Sequence, residues 1–267
     1  MRTGTTFVVL ASLAAASACR KVEPAPEDLD GQFHWFWDHG FSAESEDIDE
    51  GIALMRDAVE ADAAEEILRG SVSDLLDDQV EGYAPEGQLA EEAAGFYLVN
   101  TFDCTLEQLE PVLYELDQAS QYLDIYERYD RVYTSDFQPY LDREVDVLTW
   151  DIDLDASILG ANYREVLSGG IRYIPATDTT PGAIVQRTWL TAPAEFREGS
   201  NKTFEQDYQL EVYIEVEPGR MLHAYAIWRD IFLGAGLTAD DGIVVNTTLN
   251  NLEDWDDRTE ELCAGEE

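Results

Sequence analysis

Basic residues are scarce in this sequence. Lysine occurs only at Lys21 and Lys202, and 16 basic residues face 57 acidic ones, so the formal charge at pH 7 is −41. Such a charge repels nucleic-acid phosphates and anionic lipid headgroups. We therefore predict no nucleic-acid binding. Two interpretations of the acidity stay open: a solvated surface suited to high salt, which we favour, and binding of divalent cations.

Histidine and the common catalytic motifs are also lacking. The chain has three histidines and no nucleophile-elbow, zinc-protease or phosphate-loop motif. His223 lies in a predicted strand, where a packed histidine is more common than a general base. Carboxylates are too numerous to select a catalytic pair. We therefore predict no catalytic residue and no cofactor, and favour a non-catalytic protein over a carboxylate- or calcium-dependent enzyme.

Two stretches imitate metal sites. His34, Asp38 and His39 lie in the aromatic segment FHWFWDHGF, but no third and fourth ligand is indicated, so we expect an aromatic plug rather than a metal centre. The Asp151-x-Asp153-x-Asp155 pattern resembles an EF-hand loop without its required glycine and terminal glutamate. Apolar residues alternate with these aspartates, which indicates a strand.

Long hydrophobic runs are confined to the start of the chain. Arg2 precedes the apolar run 7–16, which is too short to span a bilayer as a stable helix and ends in Ala-Ser-Ala-Cys at residues 16–19. This pattern predicts a signal peptide over residues 1–18. The same triplet suits an ordinary A-x-A cleavage site, so a soluble secreted protein beginning at Cys19 is the alternative.

The small residues before Cys19 resemble the lipobox of bacterial lipoproteins. That resemblance implies that Cys19 is lipidated and is the only contact with a membrane. It places the protein in the cell envelope, with the outer membrane favoured because Arg20, and not Asp, follows the cysteine. If Cys19 carries lipid, Cys104 and Cys263 remain as a pair in an oxidising compartment. We predict a disulfide between them, with two buried thiols as the alternative.

The exported chain divides into three parts by pattern. Residues 19–30 are rich in Pro and Glu and predict a tether. Residues 31–135 are predicted to be mainly helical, with one helix over Asp47–Arg69 and another after Cys104, where Thr105 and Gln108 form a capping box. The run 96–99 suits either a strand or a buried helix end.

Residues 136–267 are predicted to form an antiparallel sheet and a C-terminal helix. Leu148 to Leu154 alternate with aspartates, and Pro218-Gly219 turns a hairpin between two long alternating runs. A second hairpin is expected around Gly169-Gly170 within residues 163–174. The scarce cations Arg220 and Arg229 are expected to balance nearby carboxylates. Residues 246–263 have the spacing of an amphipathic helix.

These elements together predict an α+β protein, with the helical part and the sheet in one unit. A curved sheet followed by a C-terminal helix is similar in element order to the helix-grip, START-like proteins, which hold apolar ligands. We therefore expect an acidic, lipid-anchored envelope protein with a binding or structural role. The alternative that the resemblance implies is a carrier of an apolar small molecule between the sheet and the terminal helix.

Overall fold

The computed structural model describes residues 23–62, 67–122, 125–196 and 200–265. Within these ranges, nine antiparallel strands form one sheet in the order β1-β2-β9-β8-β6-β5-β4-β3, and β7 pairs with β5. The α+β prediction is therefore confirmed. The strands are β1 (Leu68–Val72), β2 (Ala94–Asp103), β3 (Tyr126–Tyr133), β4 (Val147–Ile158), β5 (Ala161–Ile174), β6 (Ala183–Leu190), β7 (Glu195–Phe196), β8 (Thr203–Glu217) and β9 (Arg220–Phe232).

Helices cover both faces of the sheet, so the molecule has three layers. The helices are α1 (Leu29–His39), α2 (Ser45–Asp62), α3 (Leu106–Tyr114), α4 (Gln118–Gln121), α5 (Phe137–Leu141) and α6 (Gly242–Cys263). Helices α1 and α2 bury their apolar stripes against one face of β8 and β9. Helices α3 and α6 lie on the opposite face. None of the described helices is both long and apolar enough to cross a membrane.

Alternation along the long strands decides which side chains reach each layer. In β4, Leu148, Trp150, Ile152 and Leu154 are at most 4% exposed, whereas the aspartates between them face outward. Because successive strand residues point to opposite faces, this alternation places one continuous apolar surface under α3 and α6. The Pro218-Gly219 hairpin is confirmed, and Gly219 supplies the positive φ of 80° that the turn needs.

The second expected hairpin is wrong. Gly169 and Gly170 lie inside β5, and the strand continues through them to Ile174. A Cβ on Gly169 would lie 2.6 Å from the carbonyl oxygen of Arg187, so close approach of β6 explains this glycine. The turn falls instead at Leu159 and Gly160, which both have positive φ. A glycine pair therefore marked a tight strand contact and not a turn.

The N-terminal part also differs from the prediction. Three strands, β1, β2 and β3, lie within the part predicted to be mainly helical, and Leu68 begins β1 where a helix to Arg69 was expected. The run 96–99, left open between strand and helix, belongs to β2. These strands were missed because both faces of β2 are covered and β1 is short and glycine-containing, so neither shows a clean alternation.

The predicted tether is shorter than residues 19–30. Ala25 and Leu29 are buried, Asp28 caps α1, and the Trp35 indole donates a hydrogen bond to the carbonyl oxygen of Glu23. Residues from 23 onward therefore pack against the domain. The described residues begin at Glu23, so they do not include the predicted signal peptide over 1–18, Cys19 or residues 20–22.

Candidate ligand cavity between the sheet and the terminal helix

A cavity of about 170 Å³ lies between the sheet and α6. Strands β3, β4, β5, β6, β8 and β9 supply its floor and sides, and Thr248, Leu252 and Trp255 of α6 close it from above. The inward residues of β4 that the alternation predicts, Ile152 and Leu154, form part of its wall. The same pattern that builds the core therefore also shapes the cavity, where side chains of the two layers do not meet.

The lining of the cavity is mixed, and its apolar part comes from aliphatic and aromatic side chains of several strands and of α6. Leu167 of β5, Ile227 of β9 and Leu252 of α6 line it, together with Tyr126 and Tyr129 of β3. Trp255 stacks on Tyr122 with ring centroids 5.0 Å apart. The Tyr122 hydroxyl lies 2.8 Å from Thr259 Oγ1, which fixes this tyrosine to α6. These side chains give an apolar part of a ligand a surface on which to pack.

The floor, in contrast, carries buried polar and charged groups on neighbouring strands. Gln186 of β6 lies directly opposite Glu211 of β8 and donates a hydrogen bond of 2.5 Å to it. The guanidinium of Arg229 holds the fully buried Asp207 with two hydrogen bonds of 3.2 Å. Arg229 thus balances a carboxylate, as predicted, and so does Arg220 with Asp103.

His223 links the floor to α6. Its Nδ1 lies 2.7 Å from Asp256 Oδ1, and the second oxygen of Asp256 accepts a hydrogen bond of 3.0 Å from Asn100 of β2. Burial alone lowers the pKa of His223, but the carboxylates of Asp256 and Glu211 outweigh it and raise this pKa to about 9. Near neutral pH, therefore, a charged imidazolium joins the helix to the sheet.

Glu165 presents a different buried group to the cavity. Desolvation is the main cause that raises the pKa of this carboxyl to about 8, with a further contribution from Asp207, while Arg229 acts in the opposite direction. Glu165 is only 5% exposed, and its Oε1 has no hydrogen-bond partner. At neutral pH this side chain is a neutral carboxylic acid, which can both donate and accept a hydrogen bond.

Buried polar atoms without partners concentrate at this cavity. Five of the ten such atoms found among the described residues belong to its lining. Buried polar groups in native proteins are normally hydrogen-bonded, so this concentration indicates a place where water or a ligand completes the bonds. The atoms are Arg131 Nε, Glu165 Oε1, Gln186 Oε1, His223 Nε2 and Thr248 Oγ1.

The predicted site residues lie elsewhere. His34 and Asp38 are on α1, on the opposite face of the sheet, and share Gln79 as a hydrogen-bond partner at 3.0 and 2.8 Å. His39 packs its ring against Trp35. No group of three or more His, Cys, Asp or Glu able to hold a metal occurs among the described residues. The buried aromatic residues of α1 instead plug this face of the sheet.

The two later cysteines form the disulfide that the cysteine count predicts. Cys104, just after β2, is bonded to Cys263 at the end of α6, with Cα atoms 5.6 Å apart. The bond fastens the C-terminal end of α6 beside α3. The cavity lies under the preceding turns of the same helix.

Sequence reasoning missed the polar floor, although two signals were present. Asp256 follows Leu252 by four residues and precedes Thr259 by three, so helical spacing places it on the buried side of α6. Glu165 precedes Leu167 by two, so alternation turns both inward. A carboxylate at a position that the pattern buries is the signal to look for, since such groups are rarely fully buried unpaired.

No protein-family model matches this sequence, and none of the curated proteins does. Several solved structures show a distant likeness. A START superfamily protein from Mycobacterium smegmatis is 12% identical, with 64% of this chain and 97% of that chain covered and a TM-score of 0.43. Human STARD10 is 9% identical, with 76% of this chain and 71% of that chain covered and a TM-score of 0.44. Human StAR-related lipid transfer protein 5 is 6% identical, with 83% of this chain and 97% of that chain covered and a TM-score of 0.42. Since these TM-scores are below 0.5, we draw no conclusion from them.

Proposed function

We propose that the protein binds one small, mainly apolar molecule between the sheet and α6 and carries or presents it at the cell envelope. The observation that carries this proposal is the cavity itself, a space with apolar side chains on its walls and buried polar groups on its floor, covered by a helix. Ligand sites typically combine apolar walls with a few convergent polar groups. This function corresponds to the small-molecule carrier that element order left as the alternative to a purely structural role.

The size of the cavity limits the ligand. An engineered cavity of roughly 150 Å³ holds a molecule such as benzene, whereas sites for drug-sized ligands are roughly 300–1,000 Å³. At about 170 Å³, this cavity suits a molecule of about one ring. A lipid with two acyl chains would require α6 to move away from the sheet.

The leader supports a proposed location. The small residues before Cys19 favour export and lipid attachment, and the disulfide between Cys104 and Cys263 suits an oxidising compartment. Beginning at Glu23, the described chain packs on the domain, so only residues 19–22 would separate a lipid on Cys19 from the folded part. At about 3 Å per residue, such a connection holds the folded domain close to the bilayer surface.

Extraction of the native protein tests both parts of this proposal. Protein purified from its own membrane fraction should release an apolar compound at about one molecule per chain, detected by mass spectrometry after organic extraction. Leu167→Trp should lower that yield about tenfold, because the larger ring fills the cavity, and tenfold corresponds to about 1.4 kcal/mol. The intact mass of the same material should show a lipidated chain beginning at Cys19.

Val166→Trp is the matched control, because Val166 is adjacent on β5 but 39% exposed. It should leave the yield unchanged. Leu154→Phe is a smaller cavity-filling change for use if Leu167→Trp lowers the melting temperature. An empty wild-type protein that also fails to take up toluene would overturn the binding function. A chain that retains its starting methionine would overturn the envelope location.

A further inference from the structure

The buried polar atoms without partners indicate the chemistry of the ligand, whereas the volume of the cavity indicates only its size. Each belongs to a residue that is at least nine-tenths buried: Arg131, Glu165, Gln186, His223 and Thr248 are 9% exposed or less. They come from β3, β5, β6, β9 and α6, so separate elements direct them toward one space. Orphaned groups from five elements are difficult to explain as one local packing defect.

Two of these five atoms, Arg131 Nε and His223 Nε2, carry a hydrogen that they can donate. Arg131 uses Nη1 and Nη2 on the Leu113 carbonyl and the Tyr129 hydroxyl, at 2.5 and 2.6 Å, which leaves Nε–H free. His223 uses Nδ1 on Asp256, and its Nε2 forms an ion pair of 3.6 Å with Glu211 Oε2 but no hydrogen bond, so Nε2–H can still donate one to a ligand. Thr248 can donate or accept, and Gln186 Oε1 can only accept.

Glu165 adds a further donor at neutral pH. The groups that face it are Asp207 of β8, Arg229 of β9 and Tyr163 of its own strand. Arg229 is already committed to Asp207, so Glu165 has no charged partner of its own. Burial raises the pKa of Glu165 to about 8, and the protonated carboxyl carries an O–H.

The charges around the cavity nearly cancel. Asp207 balances Arg229 and Asp256 balances His223, while Glu211 and Arg131 contribute one charge of each sign. A neutral molecule therefore meets no uncompensated charge, whereas an amine cation or a carboxylate would add one to a buried site.

Given the proposed function, we propose that the ligand is a neutral molecule of about one ring that carries an acceptor oxygen of the ketone, aldehyde or ester class. The free donors of Glu165, His223 and Arg131 bind this oxygen. The apolar wall holds the ring, and the polar floor holds the oxygen. Without an acceptor, the same ring would leave the donors of the floor unsatisfied, which costs affinity.

Three probes with one benzene ring each test this assignment. Toluene, acetophenone and benzylamine should be titrated into the purified full-length mature protein by calorimetry at pH 7. Acetophenone should bind at least about tenfold more tightly than toluene, since a site built to hydrogen-bond a ligand discriminates against an analogue that lacks the bonding atom. Benzylamine, a cation at this pH, should bind more weakly than acetophenone.

Variants of Glu165 separate ligand recognition from folding. Glu165→Leu should bring the acetophenone-to-toluene ratio several-fold closer to one, while toluene still binds. Glu165→Gln keeps a neutral donor at every pH, so its acetophenone affinity should change less between pH 7 and 9.5 than that of the wild type. Glu127→Leu, on the outward face of β3, is the control and should leave the ratio unchanged.

The outcomes distinguish this inference from the proposed function. Equal binding of toluene and acetophenone would overturn the acceptor-oxygen assignment and leave the apolar cavity function standing. Tightest binding of benzylamine would overturn it as well, since the carboxylates would then be the recognising groups. If no probe binds, the floor is completed by water only, and both the inference and the function fail.

Discussion

At the scale of single residues, several arginines donate hydrogen bonds to backbone carbonyls near the ends of helices, in addition to forming ion pairs. Arg187 donates a hydrogen bond of 2.5 Å to the Trp37 carbonyl, and Arg172 donates to those of Gly40 and Ala43 at 3.0 Å. Arg131 does the same for Leu113 at the end of α3. The last carbonyls of a helix lack partners within it, so sheet arginines satisfy these ends and fix α1 and α3.

The Asp256–His223 pair makes stability depend on pH. The folded pKa of His223, about 9, lies above its ordinary value of 6.5, so the folded state binds the proton more tightly than the unfolded chain. The stabilisation is fully present below pH 6.5 and is lost as the pH rises through 9. Glu165 acts in the same direction, because its pKa is raised from 4.5 to about 8.

We expect Asp256→Asn to lower the free energy of unfolding by about 2–4 kcal/mol at pH 6, because it removes one partner of a buried pair. The loss of stability between pH 6.5 and 9 should also shrink in this variant, because Glu211 alone then raises the pKa of His223, while the contribution of Glu165 is unchanged. Urea unfolding across this pH range measures both effects. The exposed neighbour Asp257→Asn should change stability by less than about 0.5 kcal/mol. Equal losses of unfolding free energy in Asp256→Asn and Asp257→Asn would contradict a stabilising role for the Asp256–His223 pair.

At the scale of elements, α6 is held to the sheet at two places. Its C-terminal end carries the disulfide to Cys104, and two turns earlier Asp256 binds His223 and Asn100. Its first turns contribute Val244 and Leu249 to apolar clusters but form no covalent bond. The helix is therefore fastened most firmly at its end, and the cavity lies toward the part held by apolar packing.

Removing the disulfide should cost stability without changing the fold. We expect Cys104→Ser with Cys263→Ser to lower the free energy of unfolding by about 2–5 kcal/mol, since the bond closes a long loop in the unfolded chain. Thermal unfolding followed by circular dichroism measures the loss. Wild-type protein in reducing agent should show the same loss, and the double variant should not respond to reductant. An unchanged melting temperature would show that the cross-link does not constrain the unfolded chain.

At the scale of the whole molecule, the negative charge opposes the compact state. With a formal charge of −41, the described surface pairs some carboxylates, such as Asp153 with both Arg128 and Arg164, but there are far fewer cations than acids. The resulting repulsion is long-ranged at low ionic strength and is screened within about 3 Å at 1 M salt.

We expect the melting temperature to rise as NaCl increases from about 0.02 to 1 M, because screening weakens this self-repulsion. CaCl₂ at the same ionic strength should produce a rise of similar size, as expected if no group of ligands selects calcium. Differential scanning calorimetry in the two salts measures the comparison, and sucrose at matched osmolality controls for solute exclusion. A rise at millimolar CaCl₂ that NaCl does not reproduce would support the cation-binding interpretation of the acidity.

Features that depend on local pattern could be predicted from the amino-acid sequence. The capping box at Thr105 and Gln108, the alternation of β4, the Pro218-Gly219 turn and the terminal helix all follow from the periods of 2 and 3.6 residues and from turn chemistry. The Cys104–Cys263 pair followed from counting cysteines in an oxidising compartment. Each of these features requires only neighbouring residues or composition.

Only the tertiary structure decided where the cavity lies and which polar groups face it. Gly169 and Gly170 were predicted to form a turn, but Gly169 is in tight contact with Arg187 of β6 and Gly170 with Leu148 of β4, each more than a dozen residues away in the chain. Asp256 and His223 are separated by 33 residues, and neither pattern nor composition pairs them. Spacing can indicate that Asp256 and Glu165 are turned inward, but the partners of a buried carboxylate are set by the packing of the layers and not by the local pattern.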